Sequence, residues 1–407
     1  MLKGGNEVNI CQLTDTFLPV VDGVGRVVLA YAETLSGMNH RVTVSCPMYN
    51  TGHRGGYPFE LVDYIGFKVP TAPQYKVGTA ALDSHYRKRM EMIDLDIVHA
   101  HSPFSAGKEA LRLARERKLP VIASFHSKYY DDFLKVTHSE TLAKMIVNNI
   151  ISFYMRCDEV WAVSERSADV LKSYGYRGNV LVMPNGVTMR TADQQKIKEV
   201  EERFSLGSFP MLLFVGQINW KKNILRVLEA ASLLHQSGMS FRLLLAGQGP
   251  DEKMVQEKIK ELGLDGCAMM TGHIADLPTL DALYARAAVF TFPSLYDNAP
   301  MVVREAAVMG TPAVLVSGSS AAEIIHDGAN GFLCRDDSND LYRVLRNALT
   351  DPEKTRYIGI QARTTIPLPW GDIMEKAVCR YEELVKEKKG KKRRYYAQKP
   401  ATKALRG

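Results

Sequence analysis

The strongest candidates for chemistry are two carboxylates, Asp297 and Glu305, which stand eight positions apart in the segment 293–305. An apolar run at 289–292 predicts a strand before this segment, and Pro300 suits the first turn of a helix after it. Asp297 would precede the helix, and Glu305 would lie near its second turn. Carboxylates bind vicinal diols well, because each oxygen can accept a hydroxyl hydrogen. The structural alternative is an aspartate N-cap followed by a glutamate on the helix surface.

The start of this helix offers a second kind of contact. The first N–H groups of a helix have no partner within it, so the amides of Ala299, Met301 and Val302 could bind sugar hydroxyls or phosphate oxygens. We therefore expect one continuous binding segment at this strand-to-helix turn. Its members are Asp297, Asn298, Ala299, Pro300, Met301, Val302 and Glu305.

Two more strand-to-helix loops could receive phosphate. The loop 14–26 contains Gly23, which permits close approach of a backbone, and it leads into a helix whose first N–H groups point at a ligand. Its spacing differs from the dinucleotide fingerprint, which weakens a dehydrogenase interpretation, and a purely structural turn is the alternative. The loop 215–223 contains Lys222, which could neutralise a diphosphate leaving group, and a solvated lysine is the alternative.

Histidines occur at the ends of two predicted strands. His126 follows the strand at 121–125, and its imidazole could donate to a sugar hydroxyl or stabilise developing charge. His99 and His101 stand at i and i+2 on one face of a strand, where they could be metal ligands. No third ligand has suitable spacing, so we predict hydrogen-bonded structural histidines and no metal site.

These loops are positioned by short apolar, β-branched runs that alternate with helical spacing through most of the chain. Such alternation predicts parallel strands with crossover helices, and ligands bind beyond the carboxyl ends of such strands. The runs fall into two successive sets, 8–13, 42–46, 97–100, 121–125, 159–163 and 180–183, then 211–215, 241–246, 268–271, 289–292, 312–316 and 331–334.

Two such sets in 407 residues predict two Rossmann-like domains, since a single core rarely grows so large. The first is expected over 1–186 and the second over 187–369, with a charged linker that extends to about Phe204. Residues 370–385 have helical apolar spacing and are expected to pack across the domains. A basic tail is expected over 386–407.

The net charge of +7 is a property of that tail. Residues 386–407 contain ten Lys or Arg and one acid, so they carry +9 and the rest of the chain carries −2. A body so close to neutral has no basic stripe, and nucleic acid is not an expected partner. The tail, with Tyr395 and Tyr396 among its cations, suits anionic lipid headgroups, and a solvated tail is the alternative.

No apolar run approaches the roughly 20 residues that span a bilayer, and the six cysteines are scattered singly. We therefore expect a cytoplasmic protein with reduced thiols and no disulfide framework. Peripheral binding at the inner face of the membrane would depend on the basic tail.

In their order along both halves, these motifs resemble glycosyltransferase family 4, a family of retaining enzymes with the GT-B fold. The resemblance extends from about Val8 to Tyr381 and includes MPNGV at 183–187, AGQGP at 246–250 and DGANGF at 327–332. It implies an α/β protein with two Rossmann-like doubly wound domains facing across a cleft. It also implies transfer of a hexose from a nucleoside diphosphate sugar to an acceptor hydroxyl, with UDP-sugars such as UDP-glucose favoured.

The resemblance assigns roles to individual residues. Asp297 would contact the donor-sugar hydroxyls, Glu305 would hold the ribose diol, and Lys222 would bind the diphosphate. His126 would stand beside the reacting sugar, and the amide of Gly23 would meet the phosphates. The expected catalytic residues are then His126, Asp297 and Lys222, with no metal and no other cofactor.

Two further donor-binding positions, Gln217 and Gly247, complete the expected set. Gln217 stands where the family has an arginine, so it can donate hydrogen bonds but brings no charge. Lys221, at a position where the family commonly has an acid, would restore that charge. Asp297 is one methylene shorter than the family's usual glutamate, which alters its reach to the sugar.

The segment 126–133 is similar to the acceptor-side motif of diacylglycerol glucosyltransferases, which implies a membrane glycerolipid acceptor and a role in glycolipid biosynthesis. The expected acceptor-binding residues are Asp15, Lys128, Tyr129 and Asp132. Two alternatives stay open. One is a glycosyltransferase with a soluble or polysaccharide acceptor, and the other is a non-catalytic protein that binds a nucleotide sugar.

Overall fold

The computed structural model describes residues 7–20, 22–48, 55–69 and 72–397. They form two α/β units that divide between Pro184 and Asn185. The first unit comprises the described parts of Met1–Pro184 and Trp370–Gly407, and the second unit is Asn185–Pro369. The segment from Trp370 onward therefore belongs with the amino-terminal half of the chain.

Strands and helices alternate along both units. The strands are β1 (Asn9–Leu13), β2 (Arg41–Cys46), β3 (Glu60–Asp63), β4 (Gly66–Val69), β5 (Ala72–Gly78), β6 (Ile97–Ala100), β7 (Val121–Phe125), β8 (Glu159–Ala162), β9 (Val180–Val182), β10 (Met211–Val215), β11 (Arg242–Ala246), β12 (Ala268–Gly272), β13 (Val289–Thr291), β14 (Ala313–Val316) and β15 (Phe332–Cys334). The helices are α1 (Gly23–Gly37), α2 (Ser84–Glu91), α3 (Ser105–Arg117), α4 (Tyr129–Thr137), α5 (Glu140–Tyr154), α6 (Glu165–Ser173), α7 (Gln194–Arg203), α8 (Ile224–Gln236), α9 (Glu252–Glu261), α10 (Leu277–Arg286), α11 (Met301–Val308), α12 (Ser338–Thr350), α13 (Pro352–Thr365) and α14 (Trp370–Ala397).

The first unit is built on a parallel sheet of seven strands in the order β3-β2-β1-β6-β7-β8-β9. Its central strands β6 and β7 are buried along their whole length, which explains why each contains only one polar residue, His99 and Ser124. The sequence pattern missed β3 and the antiparallel hairpin of β4 and β5. In β3, two apolar residues between two acids are too few to show a strand period, and β3 pairs on one side only.

The last helix, α14, packs against α1 in the first unit. Its buried side chains recur at helical spacing, as the sequence indicated; they are Trp370, Ile373, Met374, Ala377, Tyr381, Leu384 and Val385. The helix does not end at Val385 but continues to Ala397, because the basic residues that follow are good helix formers. Lys388 and Lys389, expected in a separate tail, form ion pairs with Asp158 at 2.9 Å and Asp96 at 3.2 Å. Residues 398–407 of that tail lie outside the described residues.

The second unit has a parallel sheet of six strands in the order β12-β11-β10-β13-β14-β15. The charged stretch expected as a linker up to Phe204 contains α7, so that part of the interpretation was wrong. α7 packs against α10 through a narrow apolar face that includes the buried Val200, and its many charged residues face away from the core.

Both sheets place the first strand of the unit next to a reversal of strand order. β1 lies between β2 and β6, and β10 lies between β11 and β13. In an open parallel sheet, the loops at the carboxyl ends of strands on either side of such a reversal form the ligand-binding crevice. The loop after β10 contains Lys222 and the loop after β13 contains Asp297, so topology directs both to one place.

The helix that carries Glu305 is held by a close contact. α13 packs against α11, and an added Cβ atom at Gly359 would lie 2.0 Å from the carbonyl oxygen of Gly310, just beyond the end of α11. No side chain can occupy that space unless one of the two helices moves.

We therefore expect Gly359→Ala to lower the free energy of unfolding by about 1–3 kcal/mol, the usual cost of overpacking. In an open helix the same change would be stabilising, because alanine is the better helix former. Urea unfolding of the purified variant measures the effect. The matched control is Gly266→Ala, where an added Cβ meets nothing within 4 Å, and a Gly359→Ala protein as stable as this control would contradict the packing argument.

Candidate active site

The loop after β10 forms a short 3-10 turn, Trp220–Lys222. The side chain of Asn219 caps it by accepting a hydrogen bond from the amide of Lys221 at 2.9 Å. Asn223 ends the turn with φ of 61°, a left-handed conformation that asparagine tolerates. Its side-chain amide donates to the carbonyl oxygen of Pro293 at 3.1 Å, so this loop is tied to the chain just beyond β13.

Lys222 and Asp297 meet where these two loops come together. Nζ of Lys222 donates to Oδ1 of Asp297 at 2.6 Å, and the hydroxyl of Ser294 donates to Oδ2 at 2.6 Å. The lysine and aspartate side chains are only 15% and 19% exposed, so water screens the pair weakly. The ammonium groups of Lys221 and Lys222 lie 5.2 and 5.4 Å from the ring centroid of Tyr296. Lys221 therefore brings a second ammonium group close to the ion pair.

Glu305 lies in the second turn of α11 and is 1% exposed. The hydroxyl of Tyr284 donates to its Oε2 at 3.2 Å. A surface glutamate is therefore the wrong interpretation. An aspartate N-cap is wrong as well, because Pro300 is the N-cap of α11 and the carboxylate of Asp297 binds Lys222 instead. A carboxylate buried this deeply needs polar partners, and a ribose diol is one that the family resemblance implies.

The start of α11 keeps its hydrogen-bonding capacity. Within the described residues no side chain caps this helix, so the amides of Met301 and Val302 have no capping acceptor. The turn before them is fixed by Asn185 of the MPNGV motif, whose side-chain amide donates to the carbonyl oxygen of Ala299 at 3.1 Å. Asn298, between Asp297 and that carbonyl, is 6% exposed.

The loop after β11 packs directly on the loop after β10, backbone against backbone. Gly247 has φ of 146°, and an added Cβ there would lie 1.8 Å from the carbonyl oxygen of Gly216. The amide of Gly216 donates to the carbonyl oxygen of Ala246 at 3.0 Å, and that of Ile218 donates to Gln248 at 3.1 Å. Gln217, next to Gly216, is exposed. Gly247 therefore shapes the loop that holds Gln217.

In the first unit, Gly23 is the first residue of α1, and an added Cβ there would meet no atom within 4 Å. Asp22 is the N-cap, and its Oδ1 accepts from the amide of Gly25 at 2.6 Å. Burial raises the pKa of Asp22, although the hydrogen bond from Gly25 opposes that shift. The helix start thus has open space beside Gly23, as a phosphate contact would need.

Asp15 lies at the end of β1. Its Oδ1 accepts from the amide of Ala106 at 2.9 Å, while Oδ2 is buried and has no hydrogen-bond partner within the described residues. Burial raises the pKa of this carboxyl to about 6. A buried carboxyl oxygen without a partner is costly, so Asp15 is suited to receive a hydroxyl from a ligand.

The other three expected acceptor residues lie at the start of α4, and the structure separates them. Tyr129 packs in the core against Phe104 and Phe125, with ring centroids 5.6 and 5.8 Å away, and is 8% exposed. This placement argues against its expected contact with an acceptor. Lys128 is the N-cap of α4, and Asp132 lies in its first turn, both partly exposed.

His126 belongs to a chain of hydrogen bonds in the first unit. Its Nε2 lies 3.1 Å from Nδ1 of His101, and Nε2 of His101 lies 2.5 Å from Oε1 of Gln12. The side-chain amide of Gln12 donates to the hydroxyl of Tyr381 at 3.3 Å, and that hydroxyl is 2.7 Å from Nδ1 of His99. His99 and His101 are therefore hydrogen-bonded structural histidines, as the sequence predicted. Burial lowers the pKa of both.

The direction of these bonds fixes the protonation of His126. Oε1 of Gln12 can only accept, so Nε2 of His101 carries the proton and its Nδ1 is an acceptor. His126 must then donate from Nε2, which makes its Nδ1 the acceptor of a neutral ring. Burial lowers the pKa of His126 to about 4. His126 is thus a neutral side chain and not a cation at pH 7.

Sequence reasoning missed several polar partners of these site residues. Ser294 and Tyr284 bind the two carboxylates, and Gln12 and Tyr381 continue the histidine chain. Only Ser294 had a local signal, because it stands three residues before Asp297. Among the described residues, no three His, Cys, Asp or Glu side chains gather as a metal site would require.

Comparison with known proteins covers both halves of the chain. A family model described as Glycosyltransferase Family 4 matches residues 21–190, and one described as Glycosyl transferases group 1 matches residues 195–365. An α-monoglucosyldiacylglycerol synthase from Streptococcus pneumoniae is 25% identical over 86% of this chain and 80% of its own length. A GDP-mannose-dependent α-mannosyltransferase from Corynebacterium glutamicum is 26% identical over 80% of this chain and 76% of its own length.

Solved structures share the fold over nearly the whole chain. HepE from Anabaena, crystallised with UDP, is 17% identical with a TM-score of 0.74 over 92% of this chain and 100% of its own. Sucrose-phosphate synthase from Thermosynechococcus elongatus is 16% identical with a TM-score of 0.78 over 92% of this chain and 99% of its own. At these identities the likeness concerns the fold alone. No helix in the described part of the chain is long and apolar enough to cross a bilayer.

Two parallel-sheet units of this topology have the GT-B fold, and the family models that match both halves are models of glycosyltransferases. The chain belongs to glycosyltransferase family 4. The fold class and the enzyme class expected from the sequence are therefore confirmed.

The lowered pKa of His126 makes stability depend on pH. Between about pH 6.5 and pH 4 the unfolded imidazole binds a proton and the folded one does not, so stability falls as the pH falls. In His126→Gln this contribution is lost. We expect the stability advantage of wild type over this variant to shrink by about 1.4 kcal/mol per pH unit in that range.

Urea unfolding at pH 7.5, 6.5, 5.5 and 4.5 measures this difference. Subtracting the free energy of unfolding of the variant from that of wild type removes the contribution of Asp15. The pKa of Asp15 is raised to about 6, so its effect on stability has the opposite pH dependence, and it is the same in both proteins. A constant difference across the range would show that His126 titrates normally.

Proposed function

We propose that this enzyme transfers a hexose from a UDP-sugar to the hydroxyl of a membrane glycerolipid with retention of anomeric configuration. The observation that carries the proposal is the ion pair of Lys222 and Asp297, which joins the two loops at the strand reversal of the second unit. It combines a cation for a diphosphate with a carboxylate for sugar hydroxyls. In a nucleoside diphosphate sugar the diphosphate and the sugar hydroxyls lie within a few ångströms of each other, so its binding site needs both groups close together.

In this proposal the second unit binds the donor. Asp297 accepts hydroxyl hydrogens of the sugar, Lys222 binds the diphosphate, and Glu305 accepts from the ribose diol. The amides of Met301 and Val302 add donors at a helix start, where the backbone dipoles favour an anion. Crystals of HepE, which shares the fold, contain UDP or UDP-glucose, and this supports uridine as the base.

The chemistry then depends on the departing diphosphate. The bond from the anomeric carbon to the phosphate oxygen breaks, a bond to the acceptor oxygen forms, and the acceptor's proton moves to the departing phosphate. Negative charge develops on the leaving group, so fixed donors aimed at it lower the barrier. In the second unit Lys222, Lys221 and the start of α11 supply such donors, and no step requires a metal.

The proposed acceptor is a glycerolipid such as diacylglycerol. The α-monoglucosyldiacylglycerol synthases of Streptococcus pneumoniae and Acholeplasma laidlawii, 25% and 20% identical to this chain, support that choice. Asp15, with its buried Oδ2, is the best-placed of the expected acceptor residues to receive a hydroxyl. The enzyme would then work in the cytoplasm at the inner face of the membrane, which its basic carboxyl-terminal segment would contact.

Lys222→Ala should lower kcat by about 100-fold, because one charged donor is lost from the transition state. Initial rates with UDP-glucose and diacylglycerol in mixed vesicles measure the effect. Lys260→Ala, on the exposed side of α9 in the same unit, is the control and should keep the wild-type rate.

A Lys222→Ala protein that turns over at the wild-type rate would remove the cation from the mechanism. Thermal shifts with UDP-glucose and GDP-mannose test the donor separately, since a ligand that binds the folded state raises the melting temperature. A shift with GDP-mannose alone would overturn the choice of uridine. A shift with UDP-glucose but no transfer to any acceptor would indicate a binding protein.

Removal of residues 391–407 should reduce binding to anionic vesicles by at least about tenfold. This segment has seven Lys or Arg and no acid, and each basic residue near an anionic surface contributes about 1 kcal/mol. The truncation keeps Lys388 and Lys389 and thus their ion pairs with the first unit. Co-sedimentation with phosphatidylglycerol vesicles measures the loss.

The full-length variant K391Q+K392Q+R393Q+R394Q removes four positive charges and keeps the two tyrosines that follow. It therefore distinguishes the effect of charge on vesicle binding from the effect of the tyrosines. It should lose most of the binding if attraction to anionic headgroups dominates. Equal recovery of the full and truncated chains in the supernatant would remove the membrane contact from the proposal.

A further inference from the structure

A hollow of about 130 Å³ in the surface of the first unit is lined almost entirely by cations. Its lining residues are Lys108, Leu111, Arg112, Arg115 and Arg156. The single apolar member, Leu111, packs against the core of the first unit. None of the lining residues is acidic.

Two elements bring these cations together. Lys108, Leu111, Arg112 and Arg115 follow one another at i, i+3, i+4 and i+7 on α3, so they share one face of that helix. Arg156 comes just after the end of α5. α3 approaches α5 closely at Gly107, where an added Cβ would lie 2.8 Å from the ring of Phe153. This contact places the end of α5 beside the cationic face of α3.

One of the four cations is already neutralised. Arg112 donates to both carboxylate oxygens of Glu109 at 2.8 and 2.6 Å, and it also donates to Glu116 at 2.5 Å. Glu109 is 3% exposed, so it holds Arg112 firmly in place. The side chain of Arg112 is therefore held in place in the lining of the hollow, and its charge is largely neutralised by the two glutamates.

The other three cations lack the carboxylate partners that Arg112 has. Within the described parts of the chain, Lys108, Arg115 and Arg156 form no ion pair and no side-chain hydrogen bond. Elsewhere in the first unit arginines are paired, for example Arg89 with Glu60 and Arg380 with Glu159. Lys108, Arg115 and Arg156 are exposed, so water weakens their mutual repulsion without removing it. A bound anion would turn that repulsion into attraction.

We propose that this hollow binds a phosphate group. Arg115 and Arg156 present planar guanidinium forks that match two phosphate oxygens, and Lys108 adds a point charge. The site shares no residue with the proposed sugar-transfer machinery and goes beyond that function. The phosphate can belong to an anionic phospholipid headgroup or to a free phosphate or soluble phosphoester in the surrounding solution, and both have the chemistry that the three cations recognise.

The test uses the full-length double variant R115Q+R156Q, which removes two charges at exposed positions and keeps polar side chains. Titration calorimetry with sodium phosphate should show binding to wild type that weakens by at least about tenfold in the variant, because two charge-assisted contacts are lost. The matched control is R356Q+R363Q, which removes two exposed arginines seven positions apart on α13 of the second unit. It should bind phosphate as wild type does.

A second measurement identifies the source of the phosphate. Vesicles of phosphatidylcholine with and without phosphatidylglycerol are sedimented with each protein. Weaker binding of R115Q+R156Q than of R356Q+R363Q to the phosphatidylglycerol vesicles supports a lipid headgroup. Equal vesicle binding, together with the loss of phosphate binding, supports a free phosphate or phosphoester. If R115Q+R156Q matches the control in both measurements, the hollow is not a phosphate site and the proposal is overturned.

Discussion

The contact on which the candidate site depends is the ion pair between Lys222 and Asp297, 2.6 Å long and mostly removed from water. It exists because β10 and β13 are neighbours in the sheet although 75 residues separate the two side chains. The side chain of Asn223 also donates a hydrogen bond to the carbonyl oxygen of Pro293, so a second contact joins the same two loops. The strand reversal thus determines where the charges meet, and the two loops supply the chemistry.

Much of this arrangement could be predicted, because the strands before both loops are continuous apolar runs with distinct ends. The burial of Glu305 could not. Arg304 and Glu305 are adjacent charged residues in an eight-residue helix, a pattern typical of a solvated face. Both are buried, Arg304 donating to the carbonyl oxygen of Ile366 and having its pKa lowered to about 10 by burial. Partners that distant in the sequence leave no local signal.

The same limit applies to the first unit. The sequence indicated His99 and His101 as a pair and His126 separately, but Gln12 and Tyr381 join the three into one chain of hydrogen bonds, and 369 residues separate those two. The continuation of α14 past Val385 was missed for a related reason. A run of lysines has the same composition whether it is a solvated tail or a helix, and the partners Asp96 and Asp158 that favour the helix lie in the other half of the chain.

The protonation of the histidine chain limits what His126 can contribute in the first unit. Because Nε2 of His101 donates a hydrogen bond to Oε1 of Gln12, His126 is a neutral ring with an acceptor at Nδ1, and burial opposes its conversion to a cation. Such a ring carries no positive charge, so it cannot balance a negative charge that develops in a reaction. In the proposed donor site of the second unit Gln217 is uncharged, so the cations nearest to Asp297 are those of Lys222 and its neighbour Lys221, whose ammonium groups both lie near the Tyr296 ring.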